Sequence, residues 1–159
     1  MGFCLLIIVA LAAHYLIHEF GAKRLAIVDI DLHHGNGTQD IFYERDDVLF
    51  ISTHQYPLYP FTGFLEEMGE GKGKGATANL PFPPLSGDTA FLAATNEIIL
   101  PLLERFAPEM ILVSAGMDAH CADPLGLLVI SEAGYQQVIA CLTAWADQHC
   151  SGRIALCLE

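Results

Sequence analysis

Apolar residues fill positions 3–13 of the chain without a break, and two histidines, His14 and His18, follow directly. Gly21 then supplies a stop, so the pattern predicts a buried helix ending there. Four later runs are short and rich in branched aliphatic residues: LAIVDID at 25–31, VLFIST at 48–53, MILVSAG at 110–116 and RIALCLE at 153–159. Their apolar positions are consecutive rather than alternating, as strands covered on both faces require. A fifth run, ATANLPFPP at 76–84, is closed by prolines and belongs at a sheet edge.

Between these runs the period changes. A helix opens at Gly35 and Gly37 and runs through Phe42. A second starts at Asp88, places Phe91, Ile98, Leu102 and Leu103 near helical spacing, and stops before Pro108; a third covers 131–150. The aromatic and proline-rich HQYPLYPFTGF at 54–64 can only be a loop, and its tyrosines and phenylalanines suggest a binding rim. GEGKGKG at 69–75 lacks the Lys-Ser/Thr pair of a phosphate loop and reads as a flexible glycine-rich connection. Strands alternating with helices predict a parallel α/β sheet, and 159 residues without a linker make one domain or part of one.

Composition narrows the function classes. Charged residues are only 16% of the chain, which suits two-sided burial of a sheet, and the net charge of −12 argues against a nucleic acid partner, whose phosphates call for a basic face. The run at 3–13 is too short to span a bilayer and has no basic segment before it, so a cytoplasmic protein is expected. The alternative is export, with Ala10-Leu11-Ala12 as a leader cleavage site. The five cysteines show no CxxC spacing and read as reduced, mostly buried thiols.

The candidate chemistry lies at the strand ends, where an α/β sheet collects its ligands. Three of the runs close in polar residues: DIDLHH, STH and SAGMDAH. On a strand, residues two apart share a face, so Asp29, Asp31 and His33 would project together. Buried carboxylates cost on the order of several kcal/mol unless paired, hydrogen-bonded or metal-bound. A mixed oxygen and nitrogen set suits zinc, and iron or manganese could also be held. A third ligand could come from Asp118, His120 or Asp123, and spacing alone does not choose among them.

VDIDLHHGNGTQDIFY, STHQYPLYPFTG and ILVSAGMDAHCADPLG, in this order, resemble the histone deacetylase superfamily, most of all its class II-like, acetylpolyamine amidohydrolase and acetoin utilisation relatives. The resemblance runs over essentially the whole chain. It implies the Rossmann-like arginase/deacetylase fold, in its central to C-terminal portion, as one partial domain over 1–159. It also implies zinc-dependent hydrolysis of acetyl-lysine or acetylpolyamine amides, with iron as an alternative metal and a structural potassium ion.

Carried over by motif, the resemblance assigns zinc to Asp31, His33 and Asp123, and potassium to Asp29, Asp31, His33, Ser52 and Thr53. Asp29 and Asn36 would orient catalytic histidines, and Gly2, Phe3 and Ile130 would line the acyl-lysine tunnel. His120 stands in an Asp-x-His pattern also found in arginases, but the deacetylases bind no catalytic metal at that position. His34 reads as structural, and His14, His18, His54 and His149 as surface or packing residues. In the family the general base and acid belong to a GHH motif upstream, and the hydroxyl that polarises the carbonyl belongs to a GGY motif downstream. Neither motif occurs in this chain, which is therefore expected to be an incomplete site with weak or no activity. The alternative is a non-catalytic metal-binding or interaction protein derived from the same fold.

Overall fold

In the computed structural model, which describes residues 6–158, the branched aliphatic runs pair into one all-parallel sheet of order β3-β2-β1-β4-β5. The strands are β1 (Leu25–Asp29), β2 (Val48–Gln55), β3 (Thr77–Phe82), β4 (Met110–Ala115) and β5 (Ile154–Leu158). Every residue of β1 and β2 is buried, which is why their sequences show no alternation. Alternate side chains serve two cores. Ala26, Val28, Leu49, Ile51, Ile111 and Val113 face one, and Leu25, Ile27, Val48, Phe50 and Leu112 face the other.

The first core is roofed by α3 (Asp88–Ala94), α4 (Leu100–Phe106) and α5 (Glu132–His149), and the second by α1 (Ile8–Phe20) and α2 (Asn36–Phe42). Gly21 ends α1 with φ 70°, the left-handed conformation that glycine adopts without steric cost. Only Val9, Ala10 and Ala13 of α1 are buried, and Leu11 and Tyr15 point outward, so the helix is covered on one side rather than enclosed as its composition suggested. No helix among the described residues is long and apolar enough to cross a membrane. Of the described cysteines only Cys150 is buried, against the expectation of mostly buried thiols, while Cys121 is exposed and Cys141 and Cys157 are intermediate.

Two local departures from the sequence pattern have simple causes. A π-helical turn at Thr95–Ile99 joins α3 to α4, and α4 carries Pro101 in its first turn. Proline has no N–H to give to the preceding turn, and the wider turn also shifts the helix face by one position. Ile99 is therefore buried where the regular period selected Ile98, which is exposed. The second departure is at the first strand, whose pairing ends at Asp29, so Ile30 to His33 lie in a bend beyond it.

The topology places a crevice beside β1. The chain moves from β1 outward to β2 and β3, then returns to the opposite flank of β1 to form β4. At such a reversal the loops leaving the two central strands diverge, opening a ligand cleft at their carboxyl ends. Asp29 stands there in register with Ser52 on one side and Ser114 on the other.

Candidate metal centre

The bend after β1 is folded by its own carboxylates. Asp29 Oδ1 accepts from the Asp31 amide at 3.1 Å, and Asp31 Oδ1 accepts from the His33 amide at 2.6 Å. These contacts turn the D-x-D-x-H segment inward as a chain of Asx turns, not as the strand face its two-residue spacing suggested. From the end of β4 comes Asp118, whose Oδ1 accepts from the Leu32 amide at 2.8 Å. That bond ties the two central loops together and aims the remaining Asp118 oxygen at His33.

The result is a compact set of Asp31, His33 and Asp118, whose ligand atoms all lie within 4.8 Å of one another. His33 Nδ1 is 2.9 Å from Asp118 Oδ2 and 3.2 Å from Asp31 Oδ1. Hydrogen bonding to Asp118 first, and then to Asp31, holds the imidazolium form against the opposing effect of burial and pushes the His33 pKa up to about 9. Asp118 is correspondingly held below the usual carboxylate range by His33 and the Leu32 amide, although burial alone would raise it. Two carboxylates converging on one imidazole nitrogen make a pocket that favours positive charge. Gly116 lies so close to the Asp31 carboxylate that any Cβ there would collide with it, so the site needs glycine at this position. The O,N,O donor set fits a divalent metal such as zinc with coordination positions left open.

Asp123, the ligand implied by motif, is not brought to this set. Its Oδ1 accepts from the Leu125 amide at 2.8 Å, closing a turn of the following loop. It lines a cavity of about 580 Å³ with Met117, His120, Ala122, Pro124, Glu132 and Tyr135. Asp118 was among the candidates that the residues left open. What favours it is position: it follows β4 directly and sits beside the bend of β1, whereas the chain has turned away before Asp123. His120 also stays out of the cluster: its Nδ1 accepts from the Ala122 amide at 3.1 Å and its Nε2 lies 3.5 Å from Glu132.

Three of the five residues assigned to potassium lie at the ends of neighbouring strands. Asp29, Ser52 and Thr53 are all buried, and the Thr53 hydroxyl donates to the Asp29 carbonyl at 3.1 Å. Asn36 opens α2 and lines a separate cavity of about 250 Å³ with Gln39, Asp40, Tyr43, Thr62 and Glu67. Ile130 is 1% exposed inside the first core, not on a rim, because its backbone bridges to His120 and carries its side chain under α5. Gly2 and Phe3 lie outside the described residues.

Tyr59, Phe61 and Phe64 are exposed on the aromatic loop, and the Tyr59 ring meets His33 edge-on with centroids 6.5 Å apart. Beneath this loop lie two histidines that the sequence read as structural or packing residues, but whose partners it did not show. His34 and His54 are 1% and 0% exposed, with ring centroids 4.8 Å apart. Burial, and then the neighbouring His34, push His54 down to about 4, and burial lowers His34 as well, so both imidazoles are neutral donors and acceptors.

Known proteins resemble the chain in sequence and fold. The histone deacetylase domain matches residues 1–159. A probable deacetylase of Archaeoglobus fulgidus is 48% identical over 158 residues, covering 99% of this chain and 44% of that protein. The histone deacetylase-like amidohydrolase of Pseudomonas aeruginosa is 40% identical over 161 residues, covering 100% of this chain and 42% of that protein. The crystal structure of the HDA15 HD domain superposes with a TM-score of 0.91 at 39% identity, covering 100% of this chain and 46% of that one. The chain thus spans less than half the length of these relatives. With both its sequence and its α/β fold matched from end to end, the chain belongs to the histone deacetylase family.

Proposed function

We propose that this chain is the metal-holding part of a hydrolytic deacetylase acting on acetylated amines, either lysine or polyamine, with zinc held by Asp31, His33 and Asp118. The observation that carries the reading is the convergence of both carboxylates on His33 Nδ1, at 2.9 and 3.2 Å. Once bound there, zinc would supply Lewis-acid chemistry for amide hydrolysis. The chain's own residues do the rest of the work at this site. Asp29 and Leu32 hold the bend that presents Asp31 and His33, and the Leu32 amide keeps Asp118 in place. Tyr59, whose ring meets His33 edge-on, gives the entrance an apolar wall, suited to the methylene stem of an acylated amine. A net charge of −12 favours a substrate that is cationic elsewhere. The second assigned set, for potassium, is Asp29, Asp31, His33, Ser52 and Thr53, and the bond from the Thr53 hydroxyl to the Asp29 carbonyl supports it.

Proton transfer and carbonyl polarisation need a general base and a fixed hydroxyl, which in this reading come from the GHH and GGY segments that the sequence does not contain. Losing such groups costs about two to four orders of magnitude each. The isolated zinc-loaded chain is therefore expected to release little or no acetate from acetyl-lysine or acetylpolyamine reporters. Joining it to the corresponding segments of the Archaeoglobus relative is expected to give turnover. Substantial turnover by the isolated chain would contradict this division of labour. Zinc binding without turnover in the joined protein would favour a non-catalytic metal-binding role.

A further inference from the structure

The acceptor-only carboxylate of Glu67 gives the hydrogen-bond chain beneath the aromatic loop one direction. Gln39 Oε1 takes two donors, Asn79 Nδ2 at 2.8 Å and His34 Nε2 at 3.0 Å, so its amide nitrogen faces Glu67 Oε2, to which it donates at 2.7 Å. Because Gln39 Oε1 can only accept, His34 carries its proton on Nε2. Its Nδ1 then accepts from the Thr62 hydroxyl at 2.8 Å. The same logic assigns His54: Nε2 donates to the Gly63 carbonyl at 3.0 Å, and Nδ1 accepts from Ser52 at 3.1 Å.

The loop is thereby held at Thr62, Gly63 and Glu67 by α2, β2 and the residue next to His33. Glu67 Oε2 also accepts from the Gly63 amide at 3.3 Å, closing the loop on itself. Gly63, at φ 85°, presses so tightly on the two imidazoles that a Cβ would lie 2.5 Å from His54 Nε2 and 2.7 Å from His34 Cδ2. Gln39, 6% exposed, is the junction: one amide joins His34, Asn79 and Glu67.

We propose that Gln39 and Glu67 are positioning residues for the metal centre, holding residues 56–67, and with them Tyr59, against His33. The link to the metal rests on the zinc reading above; the ordering of the loop does not. Neither residue touches the metal ligands. Both act through His34 and the loop backbone, the kind of support whose loss typically weakens metal affinity about 10- to 100-fold.

The direction of the chain provides the test. Gln39→Glu alone sets two carboxylates face to face. Adding Glu67→Gln reverses that one bond and restores its donor and acceptor, since the new amide at position 67 would donate to the new carboxylate at position 39, while the longer bond from the Gly63 amide loses its acceptor. Hydrogen exchange of the amides in 58–66 and cobalt(II) titration, followed by the visible absorption of the bound ion, read the loop and the metal separately. In Gln39→Glu, loop exchange is expected to rise about tenfold or more and cobalt affinity to fall about tenfold, with β1 and β4 still protected. The double variant is expected to recover most of both losses, falling short of wild type by the lost Gly63 bond. A single variant that fails to fold, but is restored by the second change, supports the same conclusion.

The proposal is overturned if loop exchange in Gln39→Glu stays at the wild-type rate or if the double variant is no better than the single. It is also overturned if the loop opens while cobalt affinity is unchanged. Wild-type chain that binds no cobalt would sink the zinc reading instead, and the exchange rates would still decide whether the chain of bonds orders the loop.

Discussion

The Asp31 carboxylate lies directly against Gly116, in space that a methyl group at that position would occupy. One ligand of the proposed metal centre is thus seated by the absence of a side chain at the end of β4. Gly116→Ala must push that carboxylate away from His33. Zinc affinity is expected to fall about 10- to 100-fold while the far-ultraviolet circular dichroism stays that of the wild type. Unchanged affinity in a competition titration would show that Asp31 does not need this seat.

Gly63 and Gly21 both have positive φ, but their surroundings differ. A Cβ on Gly63 would meet His54 and His34, whereas nothing lies within 4 Å of one on Gly21. Gly21→Ala is therefore expected to cost about 1 kcal/mol, the backbone penalty alone. Gly63→Ala adds a steric clash in a buried polar network and is expected to cost about 2 to 4 kcal/mol. Urea denaturation of the two variants measures the difference, and equal costs would mean that the loop is not pressed on the imidazoles.

Asp88 joins the start of α3 to the start of α5. Its carboxylate accepts from the Ser131 amide at 2.8 Å and from the Ser131 hydroxyl at 2.6 Å, and these bonds hold its pKa below the usual carboxylate range. With the folded pKa depressed, the stabilisation is fully present above the unfolded value of about 3.9 and is lost as pH falls through the folded one. Asp88→Ala is expected to destabilise the protein by about 1 to 2 kcal/mol at pH 7. The gap from wild type should shrink progressively below about pH 4. A gap as wide at pH 2 as at pH 7 in urea melts would rule out the charged carboxylate as its source.

Much of the architecture is legible in residue patterns, because burial on both faces leaves consecutive aliphatic runs such as LAIVD and VLFIS that little else produces. The same cannot be said of the site's third ligand. Asp118 and Asp123 share one polar loop, and which of them faces His33 depends on where β4 ends and on the Leu32 amide, a contact between distant parts of the chain. The two-residue spacing of Asp29, Asp31 and His33 was informative about proximity but not about conformation: the strand stops at Asp29, and side-chain to backbone bonds shape the rest. The partners of His34 and His54, unlike their structural or packing character, were invisible for a similar reason. Their partners, Thr62, Gln39 and Gly63, are assembled only by tertiary structure.

The central claim is that zinc is held by Asp31, His33 and Asp118, and a chelator-competition titration of wild type, Asp118→Ala and Asp123→Ala tests it most directly. One zinc per wild-type chain is expected, with affinity reduced about a hundredfold or more in Asp118→Ala and changed by less than about threefold in Asp123→Ala. No stoichiometric zinc in the wild type, or the larger loss in Asp123→Ala, would contradict the claim.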